Sequence, residues 1–199
     1  MGKKIINIKK VCLIIIDMQY DFLDESLPLF VKGGPAIINN VSRILNYFRE
    51  NKLPLVFVRR VHRKNGSDVD KSRIILFKNT GGFLVEESRG SEIIDQLKPL
   101  PSEIVITKKR WSAFFHTELG LMLRRGKIED LIICGIQTPN CIRATFTDAI
   151  SLDYNVIVLE DGTASSTISV QKSNLFDMEN MGAKILKTDE VINLLKYQI

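Results

Sequence analysis

The sequence predicts a three-layer α/β/α fold: a six-stranded, mainly parallel sheet with helices on both faces, in one domain over residues 1–199. Three observations predict it. The strand-like segments are short apolar runs without alternation, the pattern of strands buried on both faces. These runs alternate with segments whose apolar residues recur at helical spacing. Polar residues capable of chemistry stand at or just past the ends of several runs, where open α/β sheets build their crevices.

Val11–Ile16 is the first strand, closed by Asp17. Pro35–Asn51 carries Ile37, Ile38, Val41, Ile44, Leu45 and Phe48 at helical spacing, and Gly33-Gly34-Pro35 marks its start. That glycine pair lacks the spacing of a phosphate loop. Leu55–Val58 is the second strand. Arg59–Gly90 then loses periodicity and is too long for a simple connection, as in the walls of functional sites. Ser91–Leu97 reads as a short helix with Ile93, Ile94 and Leu97 inward, and Ile104–Thr107 as the third strand, ending at Lys108. Trp111–Phe115 is an aromatic cluster. Thr117–Arg125 reads as an amphipathic helix stopped by Gly126. Leu131–Cys134 is the fourth strand, broken by Gly135. Thr138 is placed to cap the next helix, Thr138–Leu152, with Pro139 in its first turn. Val156–Leu159 and Ala183–Leu186 complete the strands, and Ser169–Asn180 and Asp189–Tyr197 the helices.

Composition narrows the class. With 45% hydrophobic and 26% charged residues the chain is an ordinary globular one. Its net charge of +5 comes from short, scattered basic runs rather than one tract, which argues against nucleic acid as a partner. Three cysteines without a CxxC pair give neither a disulfide framework nor a structural zinc site. Cys12 and Cys134 fall inside apolar runs and read as core residues. MGKKIINIKK lacks the apolar stretch of a signal peptide, and no run approaches the ~18 residues of a membrane span. A cytoplasmic protein with no metal and no cofactor is expected.

Cys141 is the third cysteine and sits in the first turn of the predicted Thr138–Leu152 helix, where unpaired N–H groups and the helix dipole favour a thiolate. A thiol attacking a carbonyl needs a base, a cation and donors for the oxyanion. Asp17 ends the first strand and Lys108 the third, so an α/β sheet is able to bring all three together. By position alone each has a second reading: Asp17 as a loop cap or salt bridge, Lys108 as one exposed cation beside Lys109 and Arg110. His62 and His116, the only histidines, do not follow strands directly, and no GxSxG elbow is present.

Four segments carry a resemblance: IIIDMQYDF (Ile14–Phe22), KKRWSAFFHTEL (Lys108–Leu119), GIQTPNCIRATFTDA (Gly135–Ala149) and VIVLEDGTAS (Val156–Ser165). In this order they resemble the isochorismatase-like cysteine hydrolases, which include nicotinamidases, N-carbamoylsarcosine amidases and ureidoacrylate amidohydrolases. The resemblance implies a catalytic Asp17–Lys108–Cys141 triad, a non-proline cis peptide at Ile136–Gln137, and an oxyanion hole from the backbone N–H groups of Gln137 and Cys141. It also implies a homo-oligomer, dimer or tetramer, acting on a small-molecule substrate. Metal-binding nicotinamidases carry Asp-x-His after the second strand; here VRRVHRKNGSD holds His62 alone. The basic residues Arg59, Arg60 and Arg63, with Arg89, fit a carboxylate or ureido group, and Phe22, Trp111 and Phe115 are candidate pocket walls. The expected activity is cleavage of a C–N bond in a small amide or carbamoyl compound. A vinyl-ether hydrolase of the isochorismatase type, or a non-catalytic binding subunit with the same fold, are the alternatives.

Overall fold

The computed structural model describes residues 8–197; most of the N-terminal segment examined above for a leader lies outside them. Six strands, β1 (Val11–Ile16), β2 (Leu55–Arg60), β3 (Ile104–Lys108), β4 (Asp130–Ile136), β5 (Asn155–Ala164) and β6 (Lys184–Leu186), form one sheet in the order β3-β2-β1-β4-β5-β6. Every neighbouring pair is parallel. The expected architecture is therefore present, with a sheet that is wholly parallel among the described strands.

Two apolar clusters, one on each face, explain why the strands read as unbroken apolar runs. Leu13, Ile15, Phe57, Ile132 and Cys134 pack against α2 (Gly34–Glu50) and α7 (Thr188–Lys196). Cys12, Ile14, Ile16, Val56, Val58, Leu131 and Ile133 face α4 (Leu119–Arg125), α5 (Arg143–Ser151) and α6 (Ile168–Asn180). Successive side chains point to opposite faces, so each central strand must be apolar at every position. All residues of β1 and β4 are buried, whereas edge strand β3 is half exposed.

The strand order reverses between β1 and β4, the switch point at which open α/β sheets place their ligands. There Ile16 pairs with Gly135. Gly135 has φ 114°, and a Cβ on it would strike the Ile16 backbone. Only glycine allows the two strands to approach so closely just before their functional ends.

Several local expectations are corrected. Ser91–Leu97 is not a helix but two short 3-10 turns, Arg89–Ser91 and Asp95–Leu97, around an extended stretch. Glu92 O accepts from Tyr20 N, and Ile94 N donates to Met18 O, so those backbone groups are taken by the segment after β1. Ile93, Ile94 and Leu97 are nonetheless buried. Thr138 does not cap a helix with its side chain; its hydroxyl bonds Gln171 Oε1 at 2.6 Å, and Thr138–Ile142 is a π-helical turn ahead of α5. α4 stops at Gly126, but the left-handed residue is Lys127. The long excursion after β2 contains a short helix, α3 (Ile74–Asn79), that periodicity did not reveal; α1 (Tyr20–Leu23), inside the first motif, was equally silent.

Candidate active site

Asp17 immediately follows β1 and adopts φ 54°, a left-handed conformation that aspartate tolerates better than most residues. Its N–H donates to Val58 O, and its own carbonyl accepts from Gln19 N. Gln19 clamps the neighbouring strand end: its side chain accepts from Arg60 N and donates to Arg60 O and Ser91 O, each at 2.8 Å. These bonds fasten the end of β1 to the end of β2 and hold the turn that presents Asp17.

Lys108 is the last residue of β3 and lies on the same sheet face as Ile106. It is fully buried, as is Asp17. Its Nζ donates to Asp17 Oδ2 at 2.7 Å, to Arg110 O at 3.1 Å and to Cys141 Sγ at 3.3 Å. Three acceptors match the three hydrogens of an ammonium group.

Cys141 lies in the π-helical turn after β4, 3% exposed. Within that turn Gln137 O accepts from both Asn140 N and Ile142 N. The peptide bond Ile136–Gln137 is cis. Burial, and after it the negative charge of Asp17, push the thiol up to about 12, while Lys108 pulls the other way. Desolvation of the anion thus works against the helix terminus and Lys108, and the thiol needs a base to take its proton. The arrangement holds the Cys141 thiol beside an acid–ammonium pair, so that its proton has a destination and the resulting sulfur anion a cation at hydrogen-bond distance.

The other expected residues are distributed. Trp111 and Phe115 line a shallow apolar cavity of about 290 Å³ with Arg110, Ser112 and Ala144; none of the trio lines it. Phe115 is 50% exposed. Phe22 is buried in the apolar cluster under α2, whereas Cys141 belongs to the opposite cluster. Arg59 lines a separate cavity with Glu92, Asp95 and Lys98. Strand parity is the reason. Val56 and Val58 face the cluster containing Cys141 while Phe57 faces the other, so Arg60, not Arg59, continues the row on the side of the thiol.

Arg60 is fully buried and pairs in register with Lys108. Its Nη2 bonds Asp70 and its Nε donates to His62 Nε2 at 3.1 Å. Because Nε2 accepts, the neutral ring carries its hydrogen on Nδ1, facing Asp68 Oδ1 at 3.3 Å. Burial, with the Arg60 charge second, holds His62 down to about 4. Two residues before His62, where an Asp-x-His motif would have its acid, stands Arg60. Both ring nitrogens are engaged and the neighbour is a cation, so these residues do not fit a divalent metal. Among the described residues no group of three or more His, Cys, Asp or Glu side chains is placed to hold one. The sequence offered Arg60 among the arginines near Arg59 without separating the two, although the alternation within β2 assigns them to opposite faces; Asp70 and Arg73 went unmarked.

The family description "Isochorismatase domain" matches residues 11–190. The chain belongs to the isochorismatase family. It is 38% identical over 179 residues to a protein of Arabidopsis thaliana named as a probable inactive nicotinamidase, covering 88% of this chain and 91% of that one. It is 27% identical over 202 residues to a ureidoacrylate amidohydrolase of Variovorax paradoxus (strain S110), covering 90% and 79%. Among solved structures, a cysteine hydrolase from Pseudomonas syringae pv. phaseolicola 1448A superimposes with a TM-score of 0.91 at 26% identity, covering 98% and 96%. Fold and family agree with the resemblance read from the four motifs, and the chain is an isochorismatase-family hydrolase. No helix among the described residues is long and apolar enough to cross a membrane.

Proposed function

We propose that this isochorismatase-family hydrolase is a cysteine amidohydrolase that cleaves a C–N bond of a small amide or carbamoyl compound through a thioester on Cys141. One observation carries the reading: Lys108 Nζ stands between the Asp17 carboxylate and the Cys141 sulfur at 2.7 Å and 3.3 Å, with all three groups buried. A buried ion pair is a weak source of stability, but beside a thiol it has a chemical use. Names among the relatives, such as ureidoacrylate amidohydrolase and cysteine hydrolase, support the same class.

The steps follow from the groups present. Asp17 takes the proton from Sγ as the sulfur attacks the carbonyl carbon, and Lys108 stabilises the charge on sulfur as it forms. The oxyanion falls to the backbone N–H groups of Gln137 and Cys141. Protonated Asp17 then donates to the departing nitrogen, which leaves as ammonia or an amine. Asp17, again a carboxylate, takes a proton from water, whose oxygen attacks the thioester. The acid leaves and the proton returns to sulfur.

The test is ammonia or amine release from a panel of ureido acids and simple amides by wild type and by Cys141→Ala. Release that disappears with the sulfur supports the reading; release that survives in Cys141→Ala overturns the thioester mechanism. Release from no compound, with turnover of isochorismate in the same assay, moves the chain to vinyl-ether chemistry.

A further inference from the structure

On the sheet face turned away from Cys141 lies a cavity of about 310 Å³ that none of the trio lines. Arg59 and Lys98 bring two cations to it, and Glu92 and Asp95 two carboxylates; Ile93 and Val105 give it an apolar wall. The charges balance, yet among the described residues no ion pair joins any two of them. Arg59 is half-buried, and its Nε is enclosed with no partner. A charged donor left so is costly unless something supplies an acceptor nearby. Asp95 does not serve it: its Oδ2 accepts from the Tyr20 hydroxyl at 2.8 Å. Lys98 is held in place by its backbone, whose carbonyl accepts from Arg49 Nη2 at 2.9 Å, and its ammonium is left to the cavity.

The cavity stands behind the turn that presents Asp17. Its wall Glu92–Asp95 is fastened to Met18–Tyr20, the three residues between Asp17 and Asp21: Glu92 O accepts from Tyr20 N, Ile94 N donates to Met18 O, and Ile93 bridges Gln19. From the other side, Val58, the residue before Arg59, accepts from Asp17 N, and the Gln19 side chain joins Arg60 to Ser91. A molecule that drew Arg59 and Glu92 together across the cavity would therefore tighten both supports of the Asp17 turn.

We propose that this cavity is an effector site for a small zwitterion, an α-amino acid with a short aliphatic side chain, and that its occupancy steadies the turn carrying Asp17. The carboxylate lies against Arg59 and Lys98, the ammonium against Glu92 and Asp95, and the side chain on Ile93 and Val105. A simple anion would face the two acids and a simple cation the two bases, so like charges select against both. The site holds whichever bond Cys141 cleaves, because the ligand binds on the other face of the sheet.

The test is calorimetry on the full chain at neutral pH with L-valine and L-leucine, each against its N-acetyl acid, an anion, and its primary amide, a cation. At least one amino acid is expected to bind about tenfold or more tighter than both of its derivatives. Arg59→Gln is expected to weaken that binding by about tenfold or more, and so is Glu92→Gln, whose exposed side chain leaves the fold undisturbed. Cys141→Ala is expected to bind as wild type does. With the amino acid at saturation, hydrogen exchange in peptides holding Tyr20 and Ile94 is expected to slow about fivefold or more in wild type and not in Arg59→Gln. No binding by either amino acid, equal binding by a derivative, or affinity that survives both Arg59→Gln and Glu92→Gln overturns the proposal. Binding lost in Cys141→Ala overturns it by placing the ligand at the trio, and binding with unchanged exchange overturns the effector role. Turnover is not a readout here, so failure of the amidohydrolase reading leaves these outcomes intact.

Discussion

Replacing Asp17 with Asn separates two effects that usually move together. The substitution keeps the side chain's shape but removes the charge that faces Lys108 at 2.7 Å and the acceptor for the thiol proton. Burial and then Asp17 itself raise the Cys141 thiol to about 12, so loss of the carboxylate leaves burial alone against Lys108 and Arg60. A unit charge a few ångströms away, at the effective dielectric of a protein site, is worth several kcal/mol, and the thiol is expected to become more acidic by roughly one to three pH units. Turnover moves the opposite way, falling about 10²–10⁴-fold with the general base gone. Lys108 keeps the Arg110 carbonyl but loses its counter-charge, and one-sided loss of a buried pair costs about 3–5 kcal/mol, or very roughly 6–20 °C in Tm for a chain of this length. The assays are the ultraviolet absorbance of the thiolate against pH, with Cys141→Ser as the blank, and ammonia release by the same preparations. Burial also raises Cys12, to about 12, and Cys134 further still, so the blank removes any signal of theirs. A thiol that becomes less acidic in Asp17→Asn, or turnover within tenfold of wild type, refutes the role given to Asp17.

Three further outcomes follow from the same coordinates. Gly135→Ala forces a Cβ onto the Ile16 backbone at φ 114° and is expected to cost at least ~3 kcal/mol or to prevent folding; a urea midpoint close to wild type contradicts the close approach described. Gln19→Leu leaves the Arg60 N–H and the carbonyls of Arg60 and Ser91 without their buried partner, for a loss of about 3 kcal/mol by chemical denaturation; a loss below ~1 kcal/mol means water replaces the clamp. His62 is held by burial, and next by Arg60, at about 4 against an ordinary 6.5. The unfolded chain therefore takes this proton first, and stability falls by roughly 3 kcal/mol as pH drops from 6.5 through 4, with no contribution from this group above that window. His62→Gln is expected to flatten that part of the profile, and an unchanged slope assigns it to other groups.

Much of this protein was legible without coordinates because the signals are local. A strand covered on both faces has to be apolar throughout, so β1 and β4 announced themselves as runs; Asp17 was marked by standing where β1 ends, and Lys108 by closing the short run of β3. Cys141 was marked by the glycine, threonine and proline that reshape the chain after β4. Where competing tertiary bonds decided the outcome, local signals failed. Ser91–Leu97 has helical periodicity, yet its backbone bonds go to Met18 and Tyr20, and Thr138 turns from the helix start to Gln171.

By itself the sequence determined the layered parallel sheet, the family, and the three side chains at its strand ends. The tertiary structure alone decided that these side chains meet: β1 lies beside β4, Asp17 turns left-handed, and Lys108 reaches across from an edge strand. It alone decided that burial works against ionisation of the thiol, and that Arg60 rather than Arg59 stands on the thiol's side. The physical reason is range. Periodicity and capping act over a few residues, whereas desolvation and charge depend on which distant atoms exclude water from a group, and those are chosen only when the sheet is assembled.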